Sequence, residues 1–319
     1  MPHREVEAPV LVLANPKSGG GLAGELVPYL VQGLNREGHA VEVFQSAAAG
    51  QITARVAAME GSYHALCIVG GDGTVREALQ ARPPRNLPVA VLPAGTSNVL
   101  AQEFRLAKNP LECARTIVRR QTRTLDLGVI ERSDTPRHEV MVLMIGAGID
   151  SQIIERAHQK RRGSTFGKLA YIGPIARSLF SYEKIEHSFI LEDGTRHGPF
   201  AQVVVANIAG YGGLWRMPGD VRYDDGLFDC YGFKASRALC LLRHGLLGAL
   251  KKLEEGEDLV HFQASRVRIE ADRPSPVQCD GDPAGMCPLD VRVVPRALEL
   301  IVDEERRTHS SAKPRQGST

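Results

Sequence analysis

Four largely apolar runs, at residues 10–14, 41–44, 65–69 and 89–92, punctuate the first 127 positions, and the stretches between them suit helices, notably 24–37 and 52–59. Strand alternating with helix predicts an α/β domain of the doubly wound kind, built on a parallel sheet. Ligands of such sheets gather outside the carboxyl ends of the strands. Three loops fall at that edge: Asn15-Pro16-Lys17-Ser18-Gly19-Gly20-Gly21, Gly70-Gly71-Asp72-Gly73-Thr74 and Pro93-Ala94-Gly95-Thr96-Ser97-Asn98.

From Asp126 the pattern changes. Strand-like runs recur at 140–145, 188–191, 201–206, 227–233, 265–271, 290–294 and 298–302, with a hairpin signal at Asp193-Gly194. A strongly helical stretch near 236–255 and a weaker, basic one near 152–181 interrupt what otherwise reads as an antiparallel, sandwich-like domain. The expected organisation is an α/β nucleotide-binding domain over 1–128, a β-rich domain over 129–303 and a polar tail over 304–319.

Composition narrows the function. The 319 residues are 43% hydrophobic, enough for two cores, and 39 Lys and Arg against 37 Asp and Glu leave a net charge of +2. That balance argues against a nucleic-acid partner, which asks for a larger basic excess. The first residues lack the apolar stretch of a signal peptide, and the most hydrophobic helical candidate, 238–250, is interrupted by Arg243 and His244, so a cytoplasmic protein is expected. Six cysteines without a C-x-x-C pair fit reduced thiols better than disulfides or a zinc site.

A glycine turn at a helix start brings unpaired main-chain N–H groups up to a phosphate, which the helix dipole also favours. The Gly70 loop lacks the lysine of a P-loop, and Arg76 stands where a dinucleotide fingerprint wants glycine. A tight capped turn explains one such loop; two in tandem favour phosphate binding. Asp72 suits a magnesium-linked role, against the alternative of a turn aspartate bonding its own backbone. Thr74 serves equally as helix cap or phosphate ligand, and Lys17 as counter-charge or solvated lysine. Ser97 lacks the second glycine of a hydrolase elbow. Asp280-Gly281-Asp282-Pro283 reads as a hairpin turn or as a pair of catalytic carboxylates, and Asp224, Asp225 and Asp229 surround a glycine turn like that of a calcium loop.

Taken in order, Asn15-Pro16 with Ser18-Gly19, Gly70 to Thr74, Gly95 to Asn98, Gly146-Ala147-Gly148-Ile149-Asp150, Asn207 with Gly212-Gly213, Asp225-Gly226-Leu227-Phe228-Asp229 and Asp280-Gly281-Asp282 resemble the motifs of the diacylglycerol-kinase catalytic family. This family of soluble lipid kinases includes sphingosine and ceramide kinases. The resemblance implies a two-domain kinase that uses ATP and Mg²⁺ to phosphorylate a lipid hydroxyl. It implies nucleotide contacts at Asn15, Ser46, Gly70, Gly71, Asp72, Gly73, Thr74, Val75, Arg76, Gly95, Thr96 and Asn98. A second, structural metal site is implied at Asp225 with the main chain of Arg222 and Leu227. Asp280 and Asp282 are the implied catalytic carboxylates, Asp280 as proton acceptor with Asp282 in support, although the family usually carries glutamate at the latter position. On this reading Asp280→Asn folds normally and does not transfer phosphate.

A lipid acceptor implies work at a membrane surface. Arg156, Lys160, Arg161, Arg162 and Lys168, set among Phe166, Leu169 and Ile172, form a basic-apolar cluster that suits either peripheral contact with anionic lipid or an ordinary solvated face. A homodimer is compatible with the sequence. The rival readings are an NAD kinase-like enzyme and a nucleotide- or lipid-binding protein with little turnover, the latter kept open by Asp282.

Overall fold

The computed structural model describes residues 8–132, 135–161, 185–212, 215–234 and 259–304. The helix expected at 236–255, most of the basic stretch after Arg161, Gly213 and the tail beyond residue 304 lie outside the described residues. The chain divides into two compact units, one comprising residues 8–124 and 298–304 of the described chain, the other residues 125–297.

In the first unit, strands β1 (Val10–Ala14), β2 (Val41–Gln45), β3 (Ala65–Gly70) and β4 (Val89–Pro93) form a parallel sheet in the order β2-β1-β3-β4. β1, β3 and β4 are buried along their whole length, which is why they read as unbroken apolar runs, whereas edge strand β2 is half exposed. Helix α1 (Leu22–Arg36) and helix α5 (Pro110–Arg119) share one core with the sheet through Val27, Leu30, Leu34, Cys113 and Ile117. They approach closely because position 33 is glycine: a Cβ there would sit 2.9 Å from that of Ala114. Asn109 caps α5 by accepting the N–H groups of Leu111 and Glu112. Helices α2 (Gln51–Ala57) and α3 (Asp72–Gln80) are tied together by Thr53 Oγ1, which donates to the Glu77 carbonyl, and α4 (Val99–Glu103) is a short helix after β4.

The second unit is a sandwich of antiparallel sheets. Strands β5 (Thr122–Arg132), β6 (Thr135–Met141), β7 (Met144–Ala147), β8 (His187–Ile190), β9 (Arg196–Phe200), β10 (Gln202–Ala206), β11 (Gly210–Tyr211), β12 (Trp215–Arg216), β13 (Phe228–Phe233), β14 (Leu259–Ala264), β15 (Arg266–Ala271), β16 (Pro276–Cys279), β17 (Asp282–Met286) and β18 (Leu289–Ile301) follow in order, with helix α6 (Ile149–Arg161) after β7. One sheet runs β14-β13-β10-β7-β16-β17; the other brings β6, β5, β18, β15, β8 and β9 together; β11 and β12 make a small ribbon. Val203, Phe228 and Val277 from the first meet Phe189, Ile269 and Val291 from the second in one buried cluster. The Asp193-Gly194 hairpin joins β8 to β9 with Gly194 at φ +82°.

The first compact unit runs to residue 124 and takes in residues 298–304 from the far end of the described chain. Leu300 lies beside Val89 in parallel register and Ile301 joins the α/β core. An apolar strand of this length fits either core equally well, so its partner follows only from the path of the chain.

His187 is fully buried, its Nε2 2.8 Å from Ser275 Oγ and its Nδ1 3.4 Å from the Phe200 carbonyl. Burial holds its pKa below the ordinary imidazole value, so the folded form is the neutral one. The unfolded chain then takes up a proton first as pH falls, and stability drains away below about pH 6.5. Urea unfolding at pH 7.5 and 5.5 is expected to show this loss, up to about 1.4 kcal/mol from this residue, and His187→Gln, though less stable overall, is expected to lose correspondingly less between the two pH values.

Candidate functional site

With strand order β2-β1-β3-β4, the chain turns one way after β1 and the other way after β3, so a crevice opens at the carboxyl ends of these neighbours. The loop after β1 occupies it. Ser18 Oγ accepts the Gly71 N–H at 3.1 Å, and a Cβ on Gly19 would lie 2.0 Å from the Ala94 carbonyl oxygen. Gly71 and Gly95 meet backbone to backbone: a Cβ built on Gly95 would stand 2.4 Å from the Gly71 Cα. Three loops distant in sequence thus close on one another through positions that tolerate no side chain. They form a backbone-lined cradle beside the first turn of α3.

Within that cradle the expected contact residues divide. Gly73 and Thr96 are exposed at the loop tips and Asn15, Gly71, Arg76, Gly95 and Asn98 are half-buried. Asn15 shapes its own loop, its side chain accepting from Lys17 N–H and its carbonyl from Ser18 N–H. Asn98, in the left-handed region at φ +48°, exchanges two hydrogen bonds with the Gly95 main chain at 2.8 and 2.9 Å. Thr74 and Val75 are buried, and their N–H groups turn back to the Gly71 carbonyl. Their side chains therefore face the interior, Thr74 against Gly70. Ser46 is also buried, and both its N–H and its hydroxyl bind the Ala14 carbonyl, locking the end of β2 to β1.

Asp72, for which a magnesium-linked role is expected, has a structural task in the fold. Its Oδ2 accepts the Val99 N–H at 2.9 Å and its Oδ1 the Leu100 N–H at 3.2 Å, so the carboxylate caps α4, a helix two elements further on. Burial raises its pKa while these amide bonds oppose the rise. The short α4 carries no cap from its own side chains, and Asp72 supplies the missing acceptors.

In the second unit, Asp280-Gly281 is the two-residue turn of the β16–β17 hairpin, with both residues at positive φ (+52° and +87°). The hairpin reading of this motif describes its shape, and the strands it joins are β16 and β17. Asp280 also reaches across to the β6–β7 turn: Oδ2 accepts Val142 N–H at 2.9 Å, and Oδ1 accepts those of Leu143 and Met144 at 2.8 and 2.9 Å. Three main-chain donors bound to one carboxylate give Asp280 a structural duty that its sequence context does not announce. Asp282, two residues on, is exposed, and its carboxylate takes no hydrogen bond among the described residues.

The Asp225 turn is held from outside itself. Leu227 N–H closes on Asp225 Oδ1 at 3.1 Å, and Gly226 N–H donates to Asp126 Oδ2 at 2.7 Å. Asp126 is buried and also accepts Arg296 N–H; burial, opposed by the Arg296 and Gly226 amides and aided by the charges of Asp225 and Asp224, raises its pKa. Buried Asn207 donates from Nδ2 to the carbonyls of both Asp126 and Val142, joining the Asp225 turn to the region that Asp280 grips. Asp229, grouped with these acids by sequence, instead faces His261 Nε2 at 2.7 Å. Among the described residues no three His, Cys, Asp or Glu side chains gather as a metal site. Asp126 is an anchoring residue that sequence reasoning passes over, because it lies in no glycine motif; Ser18 is named there only as part of its loop, without its bond to Gly71.

Known proteins resemble this chain over both units. Residues 9–130 match the family model "Diacylglycerol kinase catalytic domain", and residues 143–302 match "YegS C-terminal NAD kinase beta sandwich-like domain". A protein named diacylglycerol kinase, present in two strains of Mycobacterium tuberculosis, is 30% identical over 302 residues, spanning 92% of this chain and 94% of the relative. Two solved structures from Bacillus anthracis str. Sterne share the fold with TM-scores of 0.74 and 0.70 at 20% and 19% identity, covering 94% and 93% of this chain and 98% of each of theirs. The second is named as a diacylglycerol kinase. With the match extending through both units, the chain belongs to the diacylglycerol kinase catalytic-domain family of lipid kinases.

Proposed function

We propose that the chain transfers the γ-phosphoryl group of ATP, with Mg²⁺, to the hydroxyl of a lipid, with diacylglycerol as the first acceptor to test because the Mycobacterium relatives carry that name. The observation that carries the reading is the side-chain-free contact of Gly71 with Gly95 beside the start of α3. A cradle of this kind lets a phosphate chain lie against main-chain donors and the positive end of a helix. Gly73 and the exposed Thr96 would meet the phosphates, Asn98 and Asp72 would hold the two loops at the right separation, and Thr74 and Val75, buried with their N–H groups on the Gly71 carbonyl, would brace the turn. Ser46 would set the far wall.

The Asp225 carboxylate with the main-chain carbonyls of Arg222 and Leu227, the set the family resemblance implies, would supply hard oxygen donors of the kind that suit an ion which keeps several of its waters. Those residues would hold a structural Mg²⁺, and Asp72 is assigned to loop positioning rather than to metal. Bound with the nucleotide, Mg²⁺ neutralises charge on the phosphates.

The proton acceptor is reassigned. Asp280 spends its carboxylate on three amides, whereas Asp282 is exposed, so Asp282 would accept the hydroxyl proton at a side-chain oxygen while Asp280 fixes the turn that presents it. The lipid would be drawn from a membrane surface by a protein in which no described helix is long and apolar enough to cross one. Peripheral contact is therefore part of the proposal.

The direct experiment incubates the protein with γ-labelled ATP and Mg²⁺, with diacylglycerol in one arm and NAD in another, and extracts the products. Label in the organic phase of the first arm, abolished by a chelator, is expected; label retained on the dinucleotide of the second would favour an NAD kinase-like reaction, and bound ATP with no ADP formed would favour a binding protein. Gly95→Ala is expected to force the two loops apart, at a cost of about 1–3 kcal/mol in stability and with a loss of ATP affinity measurable by titration calorimetry. Asp282→Asn is expected to keep its melting temperature and lose about 100-fold or more in kcat. Asp280→Asn, contrary to the expectation of normal folding, would set an amide NH₂ against a main-chain N–H and is expected to lose about 1–3 kcal/mol of stability as well as activity, read by denaturant titration.

A further inference from the structure

Asp282, the first residue of β17, sits between two held points, one on that strand and one in the turn before it. On one side Arg132, paired with Glu139 at 2.6 Å, donates to the Ala284 carbonyl and lies under Gly285. On the other side the Gly281 N–H donates to Gln278 Oε1 at 3.0 Å. Gln278 is buried on β16, and its Nε2 lies 3.3 Å from Asp150 Oδ2. The orientation of this amide is set by chemistry, because Gly281 offers only a donor and Asp150 only acceptors.

Asp150, at the second position of α6, is itself fixed from several directions. Its Oδ2 accepts the Tyr211 hydroxyl at 2.6 Å, and its Oδ1 accepts Gln202 Nε2 and the Ser151 N–H, both at 2.6 Å. The bridge passes over Gly146, the residue paired with Gln278 on β7. A Cβ there would lie 2.8 Å from Asp150 Oδ2 and 2.9 Å from Gln278 Nε2.

We propose that Gln278 is a positioning residue for phosphoryl transfer: its side-chain amide locks the Gly281 peptide to Asp150 and so fixes the direction in which Asp282 is presented. The inference rests on the proposed lipid-kinase reading and deepens it. Glutamine is the side chain that serves both neighbours. Glutamate would face the Asp150 carboxylate with a second negative charge, and methionine, of equal length, would leave the Gly281 N–H without its acceptor. Because Asp150 opens α6, the arrangement also ties the presentation of Asp282 to the seat of that helix.

Gln278→Met tests the proposal with two readouts. Steady-state kinetics with ATP and diacylglycerol are expected to show kcat reduced by about 10- to 100-fold with the KM for ATP little changed. Amide exchange of ¹⁵N-glycine-labelled protein is expected to show Gly281 exchanging about tenfold faster, while Gly128 on β5 keeps its wild-type rate. Gln278→Glu serves if the methionine variant does not fold. Its kcat is expected to rise as the pH is lowered from 8 to 6, where a protonated carboxyl can again donate to Asp150, against a flatter wild-type profile. Unchanged Gly281 exchange, or faster exchange with kcat intact, would overturn the inference while leaving the lipid-kinase reading in place. A wild-type protein inactive on every lipid would overturn both.

Discussion

Asp72 caps a helix from the loop of another strand, Asp280 gathers three N–H groups from a turn far away in sequence, and Asp126 holds Gly226 together with Arg296. In each case a buried or half-buried carboxylate takes main-chain donors that no secondary structure satisfies. Leaving such donors unpaired away from water would cost on the order of 1–3 kcal/mol each, so the loops take the one arrangement in which the acids reach them. The polar parts of both units depend on this constraint, because loops rich in glycine have few side chains of their own with which to define a shape.

The glycines impose the complementary condition. Where Gly71 meets Gly95 and Gly19 meets Ala94, backbone approaches backbone more closely than any Cβ allows. Close approach exposes main-chain groups on the open side of the loops, the property a phosphate site needs, and the carboxylate anchors keep that exposure from becoming disorder. Asp72 belongs to both conditions at once: it is part of a glycine loop and holds the start of α4, the helix after the one it opens.

Acidic residues in this protein therefore divide by whether the backbone has claimed them. Asp72, Asp126 and Asp280 have oxygens committed to amides, and Asp150 is engaged by Gln202, Gln278, Ser151 and Tyr211. Asp282 is exposed beside this fixed framework, on a strand held at Gly281 and Ala284. A carboxylate that receives a proton benefits from such a setting, in which its own oxygens are available and its main chain is not free to drift.

The sequence by itself determined most of the elements and marked the loops and acids that became candidates. Continuous apolar runs marked β1, β3 and β4 because both their faces are covered, and Asp193-Gly194 and Asp280-Gly281 marked hairpins because aspartate followed by glycine suits the positive φ such turns demand. The glycine loops and the acidic motifs were likewise legible as candidates, and their order along the chain pointed to the family. The tertiary structure decided which strand belonged to which core, as with residues 298–302, and what each acid does. An aspartate in a turn has the same local pattern whether its oxygens meet a metal, a substrate or an amide 138 positions away, as with Asp280 and Val142. Only the fold brings the donor to it.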